Sequence, residues 1–175
     1  MRLRRLIVDE ARRAESQFPA ARWVKLEALH LTVLFLGEIA AERAGELSVG
    51  LERLFATSRP LRLEICGAGT FPAAGPARVL WLGIESPDDL HHLADAVRFE
   101  GRDFMQRPEK RPFAPHLTVA RCRQPWPRQV AERWRSDFTG AIGEGFTVER
   151  GVLMRSQLGA GGARYDVVAE FPLGG

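Results

Sequence analysis

The chain has 175 residues, of which 45% are hydrophobic and 27% charged, and a net charge of +3. That length and balance fit one soluble globular domain, and no apolar run approaches the roughly 20 residues of a membrane-spanning helix. Cys66 and Cys122 are the only cysteines, too few for a disulfide framework or a CxxC metal motif, and the arginine-rich start lacks the long apolar stretch of a secretory signal. A cytoplasmic protein is expected. All basic residues except Lys25 and Lys110 are arginines, whose planar fork suits phosphate.

Residues 1–18 place Leu3, Leu6, Ile7, Ala11 and Ala14 at helical spacing. Ala21–Val24 reads as a short strand and Leu29–Leu36 as a stronger one ending at Gly37. Ala41–Ala56 sets Ala44, Leu47, Leu51, Leu54 and Phe55 on one helical face. Arg59–Cys66 alternates, with Leu61, Leu63 and Ile65 on one side, so it predicts a strand. Gly67–Ala77 is rich in Gly, Pro and Ala and predicts a loop. Val79–Ile84 is a buried strand candidate. Ser86-Pro87-Asp88-Asp89 looks like a helix start with a serine cap and proline at the first helical position. Leu90, Leu93, Ala94, Val97, Phe104 and Met105 follow at helical spacing. Pro108–Pro115 is a basic, proline-broken loop, and His116–Arg121 a strand. Trp126, Val130 and Trp134 form a helical stripe. Phe146–Leu158 and Tyr165–Phe171 predict two strands joined by the turn Gly159–Gly162. The mixture predicts an α+β fold with antiparallel sheets flanked by helices.

The tetrapeptide His-Leu-Thr-Val occurs at His30–Val33 and again at His116–Val119, half a chain length apart. Alternation in a strand puts His30 and Thr32 on one face, with Leu31 and Val33 on the other; the same holds for His116 and Thr118 against Leu117 and Val119. Two such strands facing each other would make a groove with two imidazoles and two hydroxyls. Imidazole titrates near neutrality, so one ring can take a proton from water while the other gives one to a leaving alkoxide. The hydroxyls can donate to non-bridging phosphoryl oxygens. Neither quartet has a zinc spacing such as His-x3-His, so neither a metal nor a cofactor is expected.

At these residues the chain resembles the two-histidine (2H) phosphoesterase superfamily, whose signature is a pair of His-x-Thr-x motifs, and within it the RNA 2′,3′-cyclic phosphodiesterases, also called 2′-5′ RNA ligases. Ala21–Val24 with Leu29–Glu38 is similar to that family's first motif, Arg78–Gly83 to its middle strand, and Phe113–Arg121 to its second motif. Arg155–Leu158 followed by Tyr165 is similar to its C-terminal end. The resemblance implies one bilobal domain over 1–175, pseudo-symmetric, with a central cleft. The family's initial strand is expected to be missing or remodelled, since MRLRRLIV departs from its pattern. It implies a metal-independent phosphodiesterase that opens an RNA 2′,3′-cyclic phosphate to a 2′-phosphomonoester, with 2′-5′ ligation as the reverse. His30 would be proton donor and His116 proton acceptor, an assignment the residues leave interchangeable. Thr32 and Thr118 would hold the phosphate. Arg121 matches a family arginine that contacts it and Phe35 a family aromatic that stacks on the nucleobase. Both lie at odd offsets from their histidines, so a bend or the strand end must redirect them. The partners implied are RNA ends bearing a 2′,3′-cyclic phosphate, with no membrane, and a monomer is expected. An idle RNA-end-binding module, or a 2H esterase acting on a small cyclic nucleotide, is the alternative.

Of the remaining residues, His91 and His92 are adjacent on a predicted helix and point about 100° apart. Arg107, Lys110 and Arg111 either steer RNA or form a solvated loop. Cys122 lies between Arg121 and Arg123, where cations lower a thiol pKa. Trp23, Trp81, Trp126 and Trp134 are expected in the core, and Tyr165 in the core or at the site.

Overall fold

The computed structural model describes residues 5, 7, 9, 21–85, 87–106, 111–138, 142–159 and 162–174, with side chains undescribed at 158, 162 and 163. The expected N-terminal helix therefore lies mostly outside the described residues; Arg5, Ile7 and Asp9 have helical backbone, and Ile7 is buried. Whether the family's initial strand is present lies outside them as well. The strands are β1 (Ala21–Trp23), β2 (Leu61–Phe71), β3 (Ala77–Glu85), β4 (His116–Trp126), β5 (Gly145–Val148), β6 (Arg150–Gly159) and β7 (Gly162–Pro172). The helices are α1 (Ala41–Ala56), α2 (Asp88–Gly101) and α3 (Arg128–Asp137). No helix among the described residues is long and apolar enough to cross a membrane.

Two compact units divide the chain. The first comprises Met1–Thr32, Leu63–Ser86 and Ala114–Phe146, so both His-Leu-Thr segments fall within it. Its sheet has the order β1-β4-β3-β2-β5, and the β1/β4, β4/β3 and β3/β2 ladders run antiparallel. One sheet face is apolar: Leu80, Leu82 and Ile84 of β3 lie beside Leu117 and Ala120 of β4 and Ile65 of β2, all buried. Trp134 of α3 is buried, packs on Trp23 and Phe138, and donates its indole N–H to the Gly69 carbonyl at 3.0 Å. Thr70, 1% exposed, accepts from Arg135 at 3.0 Å, as a buried hydroxyl should be partnered.

The second unit comprises Val33–Arg62, Pro87–Phe113 and Thr147–Gly175. The predicted stripe of α1 is its core face: Leu47, Leu51 and Phe55 are buried with Val97 of α2 and with Phe171 and Leu173 at the end of β7. Phe55 and Phe171 stack at 5.8 Å. Each such side chain is worth about 1.5–3 kcal/mol of burial. Gly151 faces the Phe55 ring where a Cβ would collide with it. At the end of α1, Thr57 and Ser58 both donate hydroxyls to the Leu54 carbonyl, occupying an orphan acceptor of the last turn.

Several elements depart from expectation. The predicted strand Leu29–Leu36 is reduced to one bridge at Leu31, because no strand among the described residues pairs with residues 32–36. The expected loop Gly67–Ala77 is half strand, since β2 continues to Phe71. β4 runs on through Pro125 to Trp126, so Trp126 ends a strand and the helix begins at Arg128. Phe146–Leu158 is two strands, β5 and β6. Helix α2 starts at Asp88 with Pro87 in the cap position; Ser86 lies outside the described residues, as do Arg107, Lys110 and the middle of the Gly159–Gly162 turn.

Candidate active site

Leu31 bridges Leu117 in antiparallel fashion. That bridge sets His30 opposite Thr118 and Thr32 opposite His116. The four polar side chains share one face, and the two leucines share the other, where Leu117 is 6% exposed. Directly opposed pairs have Cβ atoms about 4.5–5.5 Å apart, and the diagonal neighbours, here the two histidines, lie about 7–8 Å apart. That diagonal leaves room for one tetrahedral phosphate between the rings.

The segment carrying His30 reaches this position by a local device. Ala21–Trp23 pairs with Cys122–Ala120 on β4, and Val24 donates to the Val119 carbonyl at 2.8 Å. A single 3-10 turn, Leu26–Ala28, then takes up the chain before Leu31 rejoins the same edge of β4. The turn also presents the Ala28 carbonyl to His30, which donates from Nδ1 at 2.7 Å. His116 does the same with the Ala114 carbonyl, also at 2.7 Å and also two residues upstream. A carbonyl only accepts, so both rings carry the proton on Nδ1, and Nε2 is left as the nitrogen that exchanges protons. His30, His116 and Thr118 are half-buried and Thr32 is exposed.

Arg121 resolves the parity puzzle. Along β3, consecutive residues Leu80 and Trp81 pair with Ala120 and Thr118, which leaves Val119 as an extra residue in β4. This β-bulge shifts the alternation by one, as bulges do. Beyond it Arg121 pairs with Val79 and shares the face of His116 and Thr118, while Val119 and Ala120 are both buried. Phe35 belongs to the second unit and is 72% exposed, so it is not a core residue.

Sequence reasoning missed an aromatic wall. Trp81 pairs with both Thr118 and Gly69, and its ring lies over Gly69 where a Cβ would overlap it. The Trp81 ring sits 6.0 Å from that of His116, and Phe71 stands edge-on to His116 at 5.0 Å. Phe71 is 37% exposed. The available signal was the alternation Gly67, Gly69, Phe71, which the glycine and proline content of the stretch obscured.

Other expectations sort as follows. His92 is exposed and His91 stands edge-on to Phe113 at 5.8 Å. Among the described residues no group of three His, Cys, Asp or Glu side chains gathers to hold a metal ion. The Cys122 thiol is not activated: burial pushes its pKa up to about 11. Cys66 is also raised, by burial first and by the Glu85 carboxylate next. Trp126 and Trp134 are core, whereas Trp23 and Trp81 are half-buried, as is Tyr165.

A family model described as the 2′-5′ RNA ligase superfamily matches residues 2–160. The protein of Aquifex aeolicus named RNA 2′,3′-cyclic phosphodiesterase is 33% identical over 156 residues, covering 88% of this chain and 82% of its own. The protein of the same name from Methanothermobacter thermautotrophicus is 31% identical over 174 residues, covering 95% of this chain and 89% of its own. Among solved structures, TT0787 of Thermus thermophilus matches with a TM-score of 0.82 at 30% identity, over 99% of this chain and 93% of that one. Escherichia coli LigT complexed with 3′-AMP matches with a TM-score of 0.74 at 26% identity, over 97% of this chain and 92% of that one.

Proposed function

The chain belongs to the 2′-5′ RNA ligase superfamily, and on that premise we propose that it is a metal-independent RNA 2′,3′-cyclic phosphodiesterase leaving a 2′-phosphomonoester. The observation that supports this reading is the antiparallel Leu31–Leu117 bridge between the two His-Leu-Thr segments, with both histidine rings held through Nδ1. The names of the relatives and the 3′-AMP bound by LigT support the substrate class.

In the proposed reaction, His116 is neutral and its Nε2 takes a proton from water as the water oxygen attacks phosphorus. The P–O3′ bond breaks, and doubly protonated His30 gives its Nε2 proton to the departing 3′ oxygen. The 2′ oxygen stays bonded to phosphorus. Each proton transfer contributes typically 10²–10⁴ in rate. Thr32 and Thr118 donate to the non-bridging oxygens, and Arg121 balances their charge. Phe35 stacks on the nucleobase, which its exposure favours. A 5′-hydroxyl in place of water would run the step towards a 2′-5′ linkage.

The test is to incubate the protein with a 2′,3′-cyclic-phosphate nucleotide and identify the product isomer by chromatography. A 2′-monophosphate is expected, formed equally well with a chelator present. His30→Ala and His116→Ala should each abolish turnover with melting temperature unchanged. Full activity in either variant refutes the assignment, and tight binding of a 2′-phosphorylated nucleotide without turnover would favour a binding module.

A further inference from the structure

Arg22 of β1 lies directly opposite Arg121 of β4. Like charges facing each other across two strands are destabilising. Among the described residues no carboxylate forms an ion pair with either arginine, and both are exposed. Fold stability therefore gives no reason for the pair, whereas a run of successive anions, each met by its own guanidinium fork, does.

Its place on the sheet suggests which anion. Because of the bulge at Val119, Arg121 and hence Arg22 occupy the face that carries His116 and Thr118. On the β1 side the ladder continues past Arg121 with Cys122 opposite Ala21, and Arg123 is the next exposed arginine along β4, where β4 parts from β3 by a second register shift between Ala77 and Val79. The polar face of β4 thus runs His116, Thr118, Arg121, with Arg22 alongside and Arg123 two residues beyond. Same-face neighbours in a strand are about 7 Å apart, a step comparable with that between successive phosphates of an extended RNA strand. Trp23, the neighbour of Arg22, pairs with Ala120 on the opposite, apolar face, so Arg22 is held in register by a packed partner.

We propose that Arg22 and Arg123, flanking Arg121, form a track for the backbone phosphates that precede the cyclic phosphate, making the protein selective for polynucleotide ends over mononucleotides. The inference rests on the cyclic-phosphate reading of the histidine face and adds a binding site for the RNA upstream of the reacting end. Arg22 and Arg123 do not act on the reacting phosphorus, so their loss should spare a substrate that carries only that phosphate.

The experiment compares a 2′,3′-cyclic mononucleotide with a trinucleotide ending in the same nucleoside, for wild type, Arg22→Gln, Arg123→Gln and Arg22→Lys. It also measures binding of the corresponding 2′-phosphorylated products by fluorescence anisotropy. Each glutamine variant should lose about tenfold in kcat/KM on the trinucleotide, mostly through KM, because a charge-assisted hydrogen bond is removed. The mononucleotide should change less than about twofold, and Arg22→Lys should retain most of the trinucleotide preference. The salt dependence of trinucleotide binding should become shallower by about 0.7 in log–log slope for each phosphate no longer neutralised. Equal losses on both substrates, or none on the trinucleotide, would overturn the track. Were wild type to turn over neither substrate yet bind the trinucleotide product more tightly, with Arg22→Gln losing that margin, the track would stand and the catalytic reading would fall.

Discussion

Leu31 bridges Leu117 across the edge of the sheet, and this pairing brings two identical tetrapeptides half a chain apart into register. The pairing is antiparallel, so the copies run past each other and each histidine meets the other copy's threonine. A parallel arrangement would have set histidine against histidine. The crossed arrangement gives each ring a hydroxyl neighbour and puts the rings on a diagonal wide enough for a phosphate.

The apolar backing of this bridge should be measurable as stability. Leu117 is buried among Leu80, Leu82 and Ala120, so Leu117→Ala should cost about 2–5 kcal/mol in urea unfolding. Leu31→Ala, at a half-buried position, should cost less. A smaller loss for Leu117 than for Leu31 would contradict this account of the sheet.

The threonine hydroxyls can be removed without changing side-chain shape. Thr32→Val and Thr118→Val should each lower kcat on a cyclic-phosphate substrate by about 10²–10³, the usual cost of one oxyanion donor. The melting temperature should hold in both, since neither side chain is fully buried. A full-rate Thr118→Val enzyme would remove that threonine from the chemistry.

The aromatic wall beside His116 depends on a missing side chain. At Gly69 a Cβ would overlap the Trp81 ring, so Gly69→Ala must shift the ring or the strand. Overpacking of this kind costs about 1–3 kcal/mol. Because Trp81 neighbours both His116 and Phe71, the shift should also appear as altered tryptophan fluorescence and reduced kcat. An unchanged emission spectrum with wild-type kinetics would show that the wall does not position the histidine.

Thiol chemistry gives a pH test. The Cys122 pKa is raised to about 11 and that of Cys66 is also raised. A raised thiol pKa means that the reactive thiolate appears only as pH climbs, so both cysteines should alkylate slowly with iodoacetamide at about pH 7.5. As pH rises, Cys66 should react first, because it is exposed whereas Cys122 is partly covered. Intact-mass and peptide mass spectrometry would follow this, and rapid labelling of Cys122 at neutral pH would rule out its burial.

Where local pattern reflected a physical constraint, it was legible. The apolar spacing of Ala41–Ala56 matched a helix because one face must enter a core, and Leu47, Leu51 and Phe55 did so. The pattern misled where a residue's conformation depends on a distant partner. Gly67–Phe71 looks like a loop, yet it is strand because Trp81 needs flat backbone beneath its ring and Trp134 binds the Gly69 carbonyl. An apolar composition does not make a strand by itself either: the run Val33–Leu36 has strand character, but no strand among the described residues completes its hydrogen bonds.

The repeated His-Leu-Thr-Val by itself determined that two imidazoles and two hydroxyls would be presented on strand faces, since alternation is a property of any extended chain. Only the tertiary structure decided that the copies lie side by side, that a carbonyl two residues upstream anchors each ring, and that one extra residue at Val119 turns Arg121 to the same side. A register or a bulge is defined between strands, by which backbone groups find each other, and no stretch of one strand carries that information alone.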